Sequence, residues 1–347
     1  MKNLFPIFLL FPLLASDNSK KPVQNYDPLT RSVGKTTANI DRKYGDHSGN
    51  RVFCRFYNFG GIGDAGNSFS GVYPIGSAHS YFYEFTPVVA ASVLDTNGYR
   101  KHIVSDGVVA PALVDDSPEG TPWGFEPLPG YANPNQEYMA MSHIEDSWPN
   151  SWPNRDSGWD GYWNGAYGKY TRADQESFFV MDDFYNDEFA YFPDSTDKNN
   201  VERRAGLGIE IEARGYQWAH PAAEDIIIVT YLITNVGTNT LDSVVFGMYG
   251  DADIGGSSDF HDDDAWFDTE NDMVFQWDHN GWSNSYGGFK PVYFGWSFLE
   301  SPGNPYDGID NDGDGMVDES QFDGIDNDGD WLAERDDIGS DGLGEYH

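Results

Sequence analysis

The stretch LGIEIEARGYQWAHPAAEDIIIVTYLITNVGTNTLDSVVFGMY, Leu207–Tyr249, decides the fold class. Within it, Leu207–Trp218 alternates apolar with polar or charged residues, the period of a strand with one buried face. Glu224–Asn235 carries a β-branched run, and Leu241–Tyr249 is a second apolar run after the turn VGTNT. β-branched and aromatic side chains suit a pleated, half-buried surface. Two such runs joined by a short Gly/Asn segment predict a β-hairpin. Upstream, short apolar runs recur as VFCRFYNF, SYFYEFTPVVAASVL and HIVSDGVV, and downstream Met273–Trp277 and Pro291–Leu299 read as further strands. No segment sustains a helical period. The chain is therefore expected to be mainly β. An antiparallel β-sandwich or jelly-roll-like domain should occupy residues 41–300, followed by an irregular calcium-binding repeat segment over 301–347. Residues 109–147 are rich in Pro and Gly and read as long loops, where the domain would divide into two sub-domains.

Composition narrows the function classes. The 347 residues include 57 Asp plus Glu against 20 Lys plus Arg, a formal net charge of −37. Nucleic acid is excluded as a natural partner, because neutralising phosphates needs a basic surface. Residues 301–347 hold 15 acids and one base, and residues 251–280 hold 10 acids and no Lys or Arg, so the charge is concentrated where cations would relieve it. Residues 1–16 read as a secretory signal: Lys2, then the apolar Leu4–Leu14, too short to span a bilayer, then the small residues Ala15 and Ser16. Residues 17–40 are a polar linker or arm, and no other stretch predicts a membrane span. The only cysteine is Cys54, so no intramolecular disulfide forms. A secreted chain without disulfides needs other staples, and metal ions supply them.

The string DGIDNDGD occurs at Asp307–Asp314 and again at Asp323–Asp330. Alternate aspartates, Asp310, Asp312 and Asp314, then Asp326, Asp328 and Asp330, suit a loop wrapped around Ca²⁺, a hard cation that takes oxygen ligands. Gly315 provides the sharp turn in the first copy and Asp318 a further ligand, with Gln321 where an EF-hand has glutamate. In the second copy Trp331 replaces the glycine, and Glu334 and Asp337 complete the candidate set.

A second acidic group, Asp251, Asp253, Asp262, Asp263 and Asp264, lies beside a strand end and forms a weaker metal candidate. With His261 nearby it would also suit a metal-dependent hydrolase. The aromatic segment Trp148–Tyr167 offers Trp148, Trp152, Trp159 and Trp163 either as sugar-stacking faces or as packing over a sheet, with packing expected. The GxGxxG match at Gly61–Gly66 precedes no helix and is set aside. Asp174, Glu176, Asp182, Asp183, Asp187 and Glu188 could pair as glycosidase acids, but acids are frequent throughout.

The D-x-D-x-D-G-x-x-D loops resemble thrombospondin type-3 repeats and dockerin modules. That resemblance implies ions shared between neighbouring repeats, with Asp323 completing the first site. The whole layout, with DQESFFVMDD, DADIG and DGIDNDGDG in order, resembles large secreted surface proteins of bacteria that use type IX secretion. It implies a cell-surface or extracellular role and no established activity. Their C-terminal sorting domain is missing here, and the sequence is expected to be a fragment of a longer protein. The first expectation is a calcium-binding, secreted or cell-surface structural or adhesive protein without catalysis, with calcium ions as cofactor and surface glycans or other copies of itself as partners. A carbohydrate-binding or polysaccharide-degrading protein is the alternative, and the hydrolase the third.

Overall fold

The computed structural model describes residues 41–63, 71–108, 117–118, 122–194, 204–256, 258–269 and 273–299. The signal segment 1–16, the linker 17–40 and the repeat residues Asp310–Asp337 lie outside these residues.

The chain is mainly β, with antiparallel sheets and, among the described residues, helical structure only as three-residue 3-10 turns. Strands β1 (Tyr44–His47) and β2 (Cys54–Tyr57) pair antiparallel. Strands β3 (Glu84–Leu94) and β4 (Arg100–Asp106) form a hairpin. Its turn is set by Asp95, whose Oδ1 accepts from the N–H groups of Asn97 and Tyr99, both at 2.8 Å. A larger sheet is built from β5 (Glu126–Pro127), β6 (Ala140–Met141), β7 (Gln175–Asp182), β8 (Ile209–Gln217) and β9 (Ile228–Asn235). Its order is β5-β7-β8-β9, with β6 also paired to β7. Strand β10 (Asp242–Asp251) adds to β3, with a register shift between Asp242 and Val245. Strands β11 (Asp263–Asp268), β12 (Met273–Asp278) and β13 (Phe294–Ser297) make a three-stranded sheet in that order.

The expected hairpin over Glu224–Tyr249 is not formed. β9 pairs with β8, and β10 pairs with β3. The reason lies in the turn. Thr238 and Asn239 donate their N–H groups to the Pro193 carbonyl at 2.9 and 3.1 Å, and Val236 donates to Gly208 at 2.8 Å. These donors are drawn to distant segments, so the turn carries the chain from one sheet to the other. Tyr231 of β9 and Phe246 of β10 meet as side chains, ring centroids 5.4 Å apart.

The chain divides into two compact units. One includes the described residues 41–265 and 276–294; the other includes the described parts of 266–275 and 295–299. In the first, β7 is buried along all eight residues, so it shows no alternation. β1 and β2 approach β8 closely. A Cβ on Gly215 would stand 2.7 Å from His47 Nε2 and 2.8 Å from Phe56, which explains glycine at that position. His47 Nε2 lies 2.8 Å from Ser177 Oγ, a spacing seen in nucleophile–base pairs. Both residues are wholly buried here, and burial pushes the imidazole down to about 3, so it stays neutral and structural.

Candidate metal centre

Strand β10 ends at Asp251, beyond Gly250, whose missing side chain leaves room for the Phe85 ring. Two tight turns follow. Gly256 donates to the Asp253 carbonyl and Asp259 donates to the Gly256 carbonyl, both at 2.9 Å. Gly255 and Gly256 both take positive φ, 88° and 93°, which other residues rarely adopt. The chain then enters the 3-10 turn Phe260–Asp262 with Asp259 preceding it. Side chains three apart eclipse in a 3-10 turn, so Asp259 and Asp262 project to the same side. β11 begins at the next residue. The His279 N–H donates to the Asp262 carbonyl at 3.1 Å, which places Asp278, the last residue of β12, beside the turn.

Three carboxylates therefore converge. Oxygens of Asp259, Asp262 and Asp278 lie within 4.8 Å of one another. Asp259 and Asp278 are 8% and 5% exposed, and Asp262 is half-buried. Some of their oxygens are bonded: Asp278 Oδ1 accepts from Trp282 N–H at 3.0 Å, and Asp262 Oδ2 from Asn280 Nδ2 at 2.5 Å. Asp259 Oδ2 and Asp278 Oδ2 are buried with no hydrogen-bond partner among the described residues. So is Oε1 of Gln276, two residues before Asp278 on the same face of β12.

Two carboxylates at this separation, both ionised, repel by about 3 kcal/mol at an effective dielectric near 20. Buried polar atoms without partners add a desolvation penalty. A cation removes both costs. The donors are all oxygen, which suits Ca²⁺ or Mg²⁺ over a transition metal. Three carboxylates supply part of the six to eight ligands Ca²⁺ takes, and Gln276 is placed to add an amide oxygen.

Asp263 stands next to this triad. Its Oδ2 accepts from Ile254 N–H at 2.8 Å, and its Oδ1 is buried without a partner among the described residues. Burial, with Asp278, Asp253 and Asp262 nearby, pushes its carboxyl up to about 7. Burial, reinforced by Asp251, pushes Asp253 up to about 6. Burial raises Asp251 and Asp278 as well. Asp264 is placed differently: it meets His279 Nδ1 at 2.6 Å in an exposed pair, which raises the imidazole through that hydrogen bond and charge.

Of the five aspartates singled out in this region, Asp262 belongs to the triad, Asp263 stands beside it, Asp253 neighbours Asp263, Asp251 neighbours Asp253, and Asp264 pairs with His279. Asp259 and Asp278 were missed. The i, i+3 spacing of Asp259 and Asp262 was a local signal. Asp278 is brought in by the β11–β12 pairing, which no local pattern announces.

In the aromatic segment the expected packing is found for Trp152 and Trp163, and the sugar-stacking alternative fails for these two. Trp152 and Trp163 are 2% and 3% exposed and cannot offer faces to a sugar. They pack with Tyr131, Ala140, Phe178 and Val180, and Trp148 and Trp159 lie half-buried against that cluster. Trp152 Nε1–H donates to the Tyr162 carbonyl at 2.9 Å, Trp163 Nε1–H to Glu176 Oε2 at 2.7 Å, and Trp148 Nε1–H to the Met141 carbonyl at 2.8 Å. The physical reason is the covering of β7, whose wholly buried surface needs large side chains above it. The candidate glycosidase acids are similarly committed. Glu176 also accepts from Arg172 and Ala173 N–H groups, and Asp183 accepts from those of Leu207, Gly208 and Ile209.

Comparison with protein-family models, with curated proteins and with solved structures found no match to this chain. Among the described residues no helix is long and apolar enough to cross a membrane.

Proposed function

We propose that this chain is a calcium-binding structural or adhesive protein of the cell surface or the extracellular medium. One observation carries the reading: Asp259, Asp262 and Asp278 converge with two buried carboxylate oxygens left unpaired. An oxygen-only site at the junction of a strand end and a tight turn fixes backbone, and that is what a chain with a single cysteine needs in place of disulfides. The acidic repeats at Asp307–Asp330, which resemble thrombospondin-type and dockerin loops, support the same chemistry from sequence. The N-terminal segment 1–16, which reads as a secretory signal, and the resemblance to type IX secreted surface proteins support the location.

Calorimetric titration of the full chain tests the proposal. Ca²⁺ is expected to bind in two classes of site, because the triad and the repeats are separate sets of carboxylates. Asp278→Asn should remove the class belonging to the triad and leave the other. Asp312→Asn with Asp328→Asn should do the reverse. Loss of no class in Asp278→Asn would refute the triad as a site, and no Ca²⁺ heat at millimolar concentration, the range of extracellular modules, would refute the proposal as a whole.

A further inference from the structure

A strand that ends a sheet leaves a row of backbone N–H and C=O groups open to another chain, and folded proteins guard such edges with charge, proline, bulges or short length. Three edges in the larger unit are guarded in this way. β4 presents exposed Arg100 and Lys101, and Asn186 Nδ2 donates to the Val104 carbonyl at 3.0 Å. β5 is two residues long and ends in Pro127. β10 is bulged between Asp242 and Val245, with Ser243 at φ 51°. β9 has none of these devices. It ends the largest sheet, pairing only with β8, and its eight residues, IVTYLITN, include no charge, no proline and no glycine. Its register against β8 runs unbroken from Ile228 to Asn235. Leu232 is 62% exposed, and Ile226 and Val236, which flank the strand, are 47% and 42% exposed.

The open groups can be named. Val236 N–H donates to the Gly208 carbonyl at 2.8 Å, and these two residues continue the β8–β9 register. Backbone direction alternates along an antiparallel strand, so Thr234, Leu232 and Thr230 face β8, while Asn235, Ile233, Tyr231 and Val229 direct their N–H and C=O groups outward. Among the described residues these outward groups have no backbone partner. Another extended strand satisfies such a row, and β9 matches itself. Antiparallel pairing of two β9 strands about Leu232 joins all four outward residues, Val229 to Asn235 and Tyr231 to Ile233, in both directions. Registers centred on Tyr231 or Ile233 leave an outward residue beyond the partner's end. About Leu232, the inner face sets an aromatic ring against a β-branched side chain. The outer face sets Leu232 against Leu232, Thr230 against Thr234 and Ile228 against Val236. Such pairs stabilise sheets. Charge favours a second copy as well. Glu212, opposite Leu232 on β8, would stand three strand spacings, roughly 14 Å, from its counterpart, and charges farther apart than about 8 Å are largely screened at physiological salt. Glu224 and Asp225 before β9 are paired with Arg51, and Asp242 after it with Arg100. A chain of net charge −37 can thus meet its own copy here without setting like charges together.

We infer that β9 is a homodimerisation edge: two copies of the chain pair β9 to β9, antiparallel about a two-fold axis at Leu232, and join their largest sheets into one. The pairing uses the open edge of both copies, so assembly stops at two. None of the proposed cation ligands takes part, and the dimer does not depend on the calcium site.

Sedimentation of the full chain in chelator tests this. Chelator removes any calcium bridge between copies, so a failure of the edge and a failure of the cation site are read separately. A dimer is expected at submillimolar concentration. Leu232→Lys sets two like charges face to face and should weaken the dimer at least about tenfold, with the far-ultraviolet dichroism spectrum unchanged. Cross-linking reads the register. Cys54, the one native cysteine, is buried, so an introduced thiol reports alone. Leu232→Cys places two thiols across a non-hydrogen-bonded pair, where Cα atoms come to about 4.5 Å, and should form an intermolecular disulfide under mild oxidation. Thr234→Cys stands four residues out of register with its own counterpart, roughly 13 Å away, and should not. A monomeric parent, open-ended assemblies, or association that survives Leu232→Lys would each overturn the inference. So would a Leu232→Cys variant that does not cross-link, or that cross-links no better than Thr234→Cys.

Discussion

Trp152→Ala is expected to destabilise the protein by about 3–5 kcal/mol, the range for removing a large aromatic ring from a core. The side chain is 2% exposed and meets Trp163 edge-on, with ring centroids 6.0 Å apart, and Phe178 at 5.8 Å. Its removal opens a cavity over β7 and leaves the Tyr162 carbonyl without the indole donor. Urea unfolding followed by far-ultraviolet dichroism measures it: the midpoint should fall sharply while the slope is retained. Tyr170→Ala, 18 residues away in sequence and 55% exposed, should stay within about 0.5 kcal/mol. Similar costs for the two would mean that the segment has no distinct inner and outer layers, and the separation of packing tryptophans from presented tyrosines would fall with it.

That separation also marks how far the sequence could be read. Ring density in Trp148–Tyr167 was plain, but which rings face inward depends on β7, and β7 was hidden. Its residues QESFFVMD are buried on both faces, so the period-two signal that revealed β8 is absent. Its buried Glu176 also looks like a loop residue until Trp163 and two backbone N–H groups are seen to satisfy it. The mainly β class was legible because strand character is local, written in runs such as IIIVTYLIT. Pairing is not local. VGTNT resembles a hairpin turn, and only the distant carbonyls of Pro193 and Gly208 show where its donors go. The same limit applies at the acidic cluster. The density of aspartates marked the region, and Asp262 was within reach. Asp278 closes the triad from a different strand, and a lone aspartate in FQWDHN gives no sign of it.

Chelation should make the acidic cluster a liability, and Ca²⁺ should reverse the sign. In chelator, Asp263 and Asp253 have carboxyls raised to about 7 and about 6, chiefly by burial. Unfolded aspartate titrates near 3.9. Between roughly pH 4 and pH 7 the folded state thus binds more protons than the unfolded state, and stability must fall as pH rises through that window. A bound cation favours the ionised forms and pulls these carboxyls back down, so the loss should shrink or vanish with Ca²⁺ present. At 100 times the dissociation constant, the ion adds about 2.7 kcal/mol, roughly 4–5 °C of melting temperature for a protein of this size. Asp278→Asn separates this from the general effect of an acidic chain. In chelator at pH 7.5 the substitution removes one of three converging charges and should raise the melting temperature of the parent. In saturating Ca²⁺ it removes a ligand and should lower it. Thermal melts of both proteins, with and without Ca²⁺ and across pH 5 to 7.5, give the full set of comparisons. A substitution whose effect keeps the same sign in both conditions would mean that Asp259, Asp262 and Asp278 share a neighbourhood but no ion.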